Sequence, residues 1–214
     1  MNSRKKKIWG LTLSAFIAFS LTGCVGGIDV PQIEFVTEDL LVIDKSGTVT
    51  SYVVADFDKD YYMEEELASM IMEELIPFNK EMEEFVPNDV TPAILSDTYR
   101  YEGKIVVQYV FANGYVYGQY QLEETDCFTG TVEQALKRGY LDNVKLLSVS
   151  KGKELDATTN DKILNRQMVI WQGDVSVFVM DKPEYLSANV TLSEDMHTMK
   201  IQGADGEMGY CIMK

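Results

Sequence analysis

Leu41-Val42-Ile43-Asp44-Lys45-Ser46-Gly47-Thr48-Val49-Thr50-Ser51-Tyr52-Val53-Val54-Ala55 is the stretch on which the fold turns. Two apolar, β-branched runs flank Asp44-Lys45-Ser46-Gly47, a turn whose glycine suits positive φ, so the segment reads as a β-hairpin. Immediately after it the period changes. From Met63, apolar residues recur at Leu67, Met70, Ile71, Leu75, Phe78, Met82, Phe85 and Val86, one stripe of a helix. Asp60 stands where a cap is needed, and Glu64, Glu65 and Glu66 suit the positive end of the helix dipole. Pro77 lacks a backbone donor inside the stripe, which predicts a kink or two helices meeting there. An antiparallel pair leading into a long amphipathic helix predicts an α+β domain.

Downstream, Ala93 to Tyr101 and Lys104 to Ala112 form a second hairpin about Glu102-Gly103, and Val116 to Leu122 reads as a further strand. Thr131-Val132-Glu133-Gln134 has the form of a capping box opening a short helix that Gly139 ends. Strands are then expected at Val144 to Val149, Gln167 to Trp171, Val175 to Met180, Ala188 to Leu192, Met196 to Ile201 and Met208 to Met213, with turns at Gly173-Asp174 and Asp205-Gly206. Lys151 to Asp161 is polar and reads as a loop. The expected architecture is antiparallel sheet with one long kinked helix, one short helix and a strand-rich C-terminal half.

Upstream lies a different kind of sequence. Arg4-Lys5-Lys6-Lys7 precedes an apolar run from Ile8 to Phe19, which ends at Leu21-Thr22-Gly23-Cys24. A basic start, an apolar core too short to remain a membrane span and small residues at the junction make a secretory signal. With the cysteine after Gly23 the segment closely resembles the signals of bacterial lipoproteins, which implies a signal over residues 1–23 and Cys24 as the lipidated first residue of the mature chain; the competing reading is an ordinary cleaved signal with an incidental cysteine. Residues 24–39, with Gly26-Gly27 and Pro31 and no sustained period, read as a flexible tether. Residues 40–214 then form one extracytoplasmic domain, or two lobes parting near 140–165. The expected location is the extracytoplasmic face of the cell membrane, held there by an N-terminal diacylglycerol.

Removing 23 of 214 residues leaves 191, and loss of the four basic residues takes the formal charge from −15 to −19. A chain so acidic repels nucleic acid and anionic lipid head groups, leaving cations, basic proteins and neutral glycans as electrostatically permitted partners. Apart from Cys24 only Cys127 and Cys211 remain, compatible with one bridge or with two small buried hydrophobes. With His197 as the single histidine, the usual zinc site cannot be assembled. No cofactor is implied. Asp56, Asp58 and Asp60 have the alternation of the start of a calcium loop, but Tyr61 stands where its glycine belongs and Leu67 where its closing glutamate belongs, so a looser calcium site on the three carboxylates competes with a strand-to-helix connection carrying a capping Asp.

Six of the twelve tyrosines fall between Tyr99 and Tyr120. Their flat faces and polar tips suit stacking on sugars or gripping a protein, and Tyr115, Tyr117 and Tyr120 are the candidate binding residues; the competing reading is one plain face of a sheet. Glu64 to Glu66, Glu73-Glu74 and Glu81 to Glu84 flank the helix stripe as a solvated face or a dock for a basic partner. His197 has no GxSxG elbow or other serine context, so no triad is expected. No catalytic residue can be named. Hydrolysis by two carboxylates stays open in an acidic chain, but no pair stands out.

The run from Leu41 through Asp56-Phe57-Asp58, Tyr61-Tyr62 and Glu64-Glu65-Glu66-Leu67 to Phe78-Asn79, with Gly130-Thr131-Val132-Glu133-Gln134-Ala135 and Gly139-Tyr140, resembles uncharacterised surface lipoproteins of gut Clostridia. The resemblance covers about half the chain. It implies a Gram-positive cell and the outer face of its plasma membrane, and assigns no site residue. The function expected is a non-enzymatic surface module binding a protein or glycan, with a small carboxylate-dependent glycan hydrolase as the alternative.

Overall fold

The computed structural model describes residues 36–59, 61–121, 126–157, 160–202 and 206–214. Cys24, the signal and most of the expected tether lie outside them. Packing begins ahead of Leu40: Val36 is buried in a cluster with Leu40, Val42, Val106 and Phe178. The Glu38 carboxylate accepts from Ser176 Oγ at 3.3 Å and from Lys200 Nζ at 3.0 Å, and Asp39 accepts from the Val54 N–H at 2.8 Å. The last four residues assigned to a tether therefore pack as part of the domain.

Strands β1 (Leu40–Ile43) and β2 (Val49–Asp56) make the expected hairpin, Leu40 opposite Tyr52 and Ile43 opposite Val49. Asp44 builds the turn. Its Oδ1 accepts from the N–H groups of Ser46 and Thr48 at 2.8 and 2.9 Å, and Gly47 sits at φ 89°, where a side chain would be strained. The second hairpin, β3 (Ala93–Tyr101) and β4 (Lys104–Phe111), joins through β4 against β2. On the other side, β9 (Ser176–Val179), β12 (Thr198–Ile201) and β11 (Val190–Leu192) complete a seven-stranded sheet of order β11-β12-β9-β1-β2-β4-β3. The β1–β9 pair is parallel, a departure from the antiparallel sheet expected, and the long chain between them supplies the crossover that parallel pairing needs.

A second sheet of six strands has the order β5 (Cys127–Thr131), β8 (Gln167–Gln172), β13 (Met208–Met213), β10 (Pro183–Ser187), β6 (Leu146–Ser148) and β7 (Glu154–Leu155). Of these, β5, β7 and β10 have no counterpart in the sequence pattern; β10 begins with a proline, and β7 lies inside the stretch read as loop. Gly173, expected in a simple turn, instead carries the chain from β8 in one sheet to β9 in the other. Strand β8 is buried on both faces. Val169 and Trp171 join Leu41, Ile43, Val49 and Phe111 between the sheets, whereas Met168 and Ile170 turn to a second cluster with Phe128, Val132 and Ile212. Each β-strand segment after residue 165 thus returns to one of the two sheets begun before it.

Helix α1 (Glu64–Met82) is a single helix through Pro77, followed by a 3-10 turn, Glu83–Phe85. It covers β3 with Ile71 and Leu75 buried and Leu67, Phe78 and Met82 packed at the margins. Met70, expected in this stripe, is 67% exposed, because it lies about 100° around the helix from Ile71. Asp60, the expected cap, lies outside the described residues; the N-cap is Met63, with no side-chain capping bond. Arg100 of β3 holds this end instead. Its guanidinium donates to the Tyr62 carbonyl, sits 4.4 Å over the Phe57 ring and approaches Glu64 at 4.0 Å. At the far end Asn79 bonds both the N–H and the carbonyl of Ala93 at 2.8 Å.

Candidate functional site

The segment after β4 is helical, not the strand expected from Val116. Helix α2 (Gly114–Tyr120) starts at Asn113, whose side-chain oxygen accepts from the Val116 N–H at 3.0 Å. Helical geometry redistributes the three candidate tyrosines, because residues 115 and 117 are now about 200° apart, whereas 117 and 120 share a face. Tyr117 is 6% exposed and meets the Phe111 ring edge-on at 5.4 Å. Tyr120 packs against Phe78, Tyr109 and Phe111 at 5.1 to 5.3 Å. Burial pushes both phenols well above their ordinary pKa. Tyr117 and Tyr120 are therefore packing residues, and Tyr115 is the member of the trio that faces a surface cleft.

That cleft, of about 380 Å³, is lined by Phe85, Asn113, Tyr115, Phe128, Thr129, Gln134 and Arg138. Four elements meet around it: the 3-10 turn after α1, the start of α2, β5 and the short helix α3 (Val132–Lys137). Their junction is close. A Cβ on Gly114 would fall 2.8 Å from the Thr129 nitrogen and 2.9 Å from the Phe128 carbonyl carbon, so only glycine lets α2 approach β5. The Thr129 hydroxyl accepts from Gly114 N–H at 2.9 Å and donates to the Gly47 carbonyl at 2.6 Å, tying α2 and the second sheet to the first hairpin. The capping box expected at residues 131–134 is present in full, Thr131 Oγ1 accepting from Gln134 N–H and Gln134 Oε1 from Thr131 N–H. Tyr115 meets Phe85 at 4.9 Å between ring centres. On the other wall the Arg138 guanidinium lies 5.5 Å over the Phe128 ring.

The other candidates are dispersed. Asp56 ends β2 opposite Lys104, Asp58 is paired with Lys59 at 3.1 Å, and Asp60 lies outside the described residues. Among the described residues no group of three or more acidic, histidine or cysteine side chains is placed to hold a metal ion. Cys127 and Cys211 are free and buried on strands flanking β8, and burial pushes the Cys127 thiol up to about 12. His197 bonds the Val179 carbonyl through Nδ1 at 2.7 Å and stacks on Phe178. A second cleft, of about 350 Å³, is lined by the loop after α1 and includes Glu83 and Asp89.

The sequence pattern points to Tyr115 but not to Phe85, Phe128 or Arg138. Phe85 falls in the apolar stripe of the helix, and the residues of β5 carry no strand pattern of their own. The available signal was local: Asn113-Gly114 is a cap followed by a close-approach glycine as readily as a hairpin turn. The chain matches no protein-family model, no curated protein and no solved structure.

Proposed function

We propose that this protein is a lipid-anchored extracytoplasmic module that binds a glycan or protein through the cleft around Tyr115. One observation carries the reading: three rings, Phe85, Tyr115 and Phe128, converge with polar side chains on a concave surface. The anchor is Cys24, on the sequence argument from its signal. Two experiments separate anchor from module. Cys24→Ala abolishes acyl labelling and lipoprotein-type processing; unchanged labelling and membrane retention refute the anchor. Tyr115→Ala loses retention on isolated cell wall or on a co-purified partner at an unchanged melting temperature; full retention refutes the cleft.

The alternative, a carboxylate-dependent glycan hydrolase, draws on Glu83 and Asp89 lining the second cleft. Release of reducing sugar from cell wall, lost in Glu83→Gln or Asp89→Asn, would establish it over the binding reading.

A further inference from the structure

The hydrogen-bonding groups around the Tyr115 cleft are sorted by what the local structure has already taken from them. Asn113 has committed its side-chain oxygen to capping α2, leaving its Nδ2 with one contact at the 3.5 Å limit, to the Phe85 carbonyl. Gln134 has committed its oxygen to the capping box, leaving its Nε2 amide N–H groups. Thr129 both accepts from Gly114 and donates to Gly47. Arg138 offers only donors, and no carboxylate among the described residues lies within 4.0 Å of it. Two capping motifs thus leave the amide side chains of this cleft, Asn113 and Gln134, with their N–H donors facing a ligand beside a cation, a local exception to the formal charge of −15 that otherwise disfavours anions.

A ligand that fits must supply acceptors and negative charge together with a flat or ring-shaped body for Phe85, Tyr115 and Phe128. From this donor-rich, locally cationic lining we infer that the cleft binds an anionic sugar, a ring carrying a carboxylate or a phosphate ester, with its oxyanion on Arg138 and its ring against Tyr115. A cleft of about 380 Å³ holds one or two sugar rings, which favours a glycan unit over the broad, flat contact of a folded protein partner. The inference rests on the binding reading above and narrows its ligand. Gly130 has a supporting part: a Cβ there would fall 2.5 Å from Gln134 Oε1 and 2.7 Å from the Phe128 ring, so glycine keeps both in place.

Titration of the full chain with digalacturonate, glucose 1-phosphate, lactose and a Phe-Glu dipeptide tests it. Digalacturonate or glucose 1-phosphate binds about tenfold tighter than lactose, the margin of one charge-assisted hydrogen bond, and weakens with added salt. Which of the two leads identifies the oxyanion as carboxylate or phosphate. Arg138→Gln removes the preference at an unchanged melting temperature, since Arg138 is exposed, and Arg138→Lys restores part of it. Equal binding of lactose and the acids, or a preference that survives Arg138→Gln, overturns the inference while leaving the binding reading intact. Binding of the dipeptide alone overturns it in favour of a peptide ligand. No binding of any probe overturns it too, and the cell-wall retention of Tyr115→Ala then decides the binding reading separately.

Discussion

Strand β4 and helix α2 are neighbours in the chain, both rich in aromatic and β-branched residues, yet one is extended and the other helical. Residue preference does not separate them, since Val106-Val107-Gln108-Tyr109 and Tyr115-Val116-Tyr117 are equally good strand material. The environment does. β4 lies between β2 and β3 and pairs with both along its length. The chain after Phe111 has left the hairpin, and the Asn113 cap, the Thr129 hydroxyl and the missing side chain at Gly114 dock it as a helix on β5. Tertiary contacts override propensity where capping and close approach act together.

Four substitutions break or sharpen that contrast. The largest effect belongs to Tyr117→Ala, which empties a buried site under α2; denaturant unfolding should show a loss of about 3–5 kcal/mol. Next, Gly114→Ala drives a Cβ into the backbone of β5, which cannot yield as a flexible side chain would, for a loss of about 1–3 kcal/mol by the same measurement. If Gly114→Ala were neutral, the docking of α2 on β5 would be wrong. Asn113→Ala removes the cap and the long Nδ2 contact to the Phe85 carbonyl and costs about 1 kcal/mol, seen as a small drop in melting temperature. The smallest effect is that of Tyr115→Ala, within about 0.5 kcal/mol for a residue outside the buried core. Equal losses at residues 115 and 117 would restore the strand reading, in which the two share a face.

Much of the scaffold was legible in the residues. The turn at Asp44 to Gly47, the hairpin around Glu102-Gly103 and the capping box at Thr131 each rest on a handful of adjacent residues whose chemistry is local. The stripe of α1 was legible at its centre, Ile71 and Leu75, and failed at its margin, where Met70 faces solvent; the pattern marks a helix face but not how wide a surface covers it. The site was legible only through Tyr115, a candidate for the flat face and polar tip of tyrosine; the competing reading, one sheet face shared with Tyr117, fails because the segment is helical.

By itself the sequence determined an α+β domain with two hairpins, a long amphipathic helix and a capped short one, because periodicity, turn chemistry and capping act over a few residues. Tertiary structure alone decided that β9 lies parallel beside β1, that β5 and β10 are strands, and that Phe85, Tyr115, Phe128 and Arg138 share one cleft. Those contacts join residues far apart in the chain. Which of them form depends on how well the two sheets pack over a common core, a property that no local window contains.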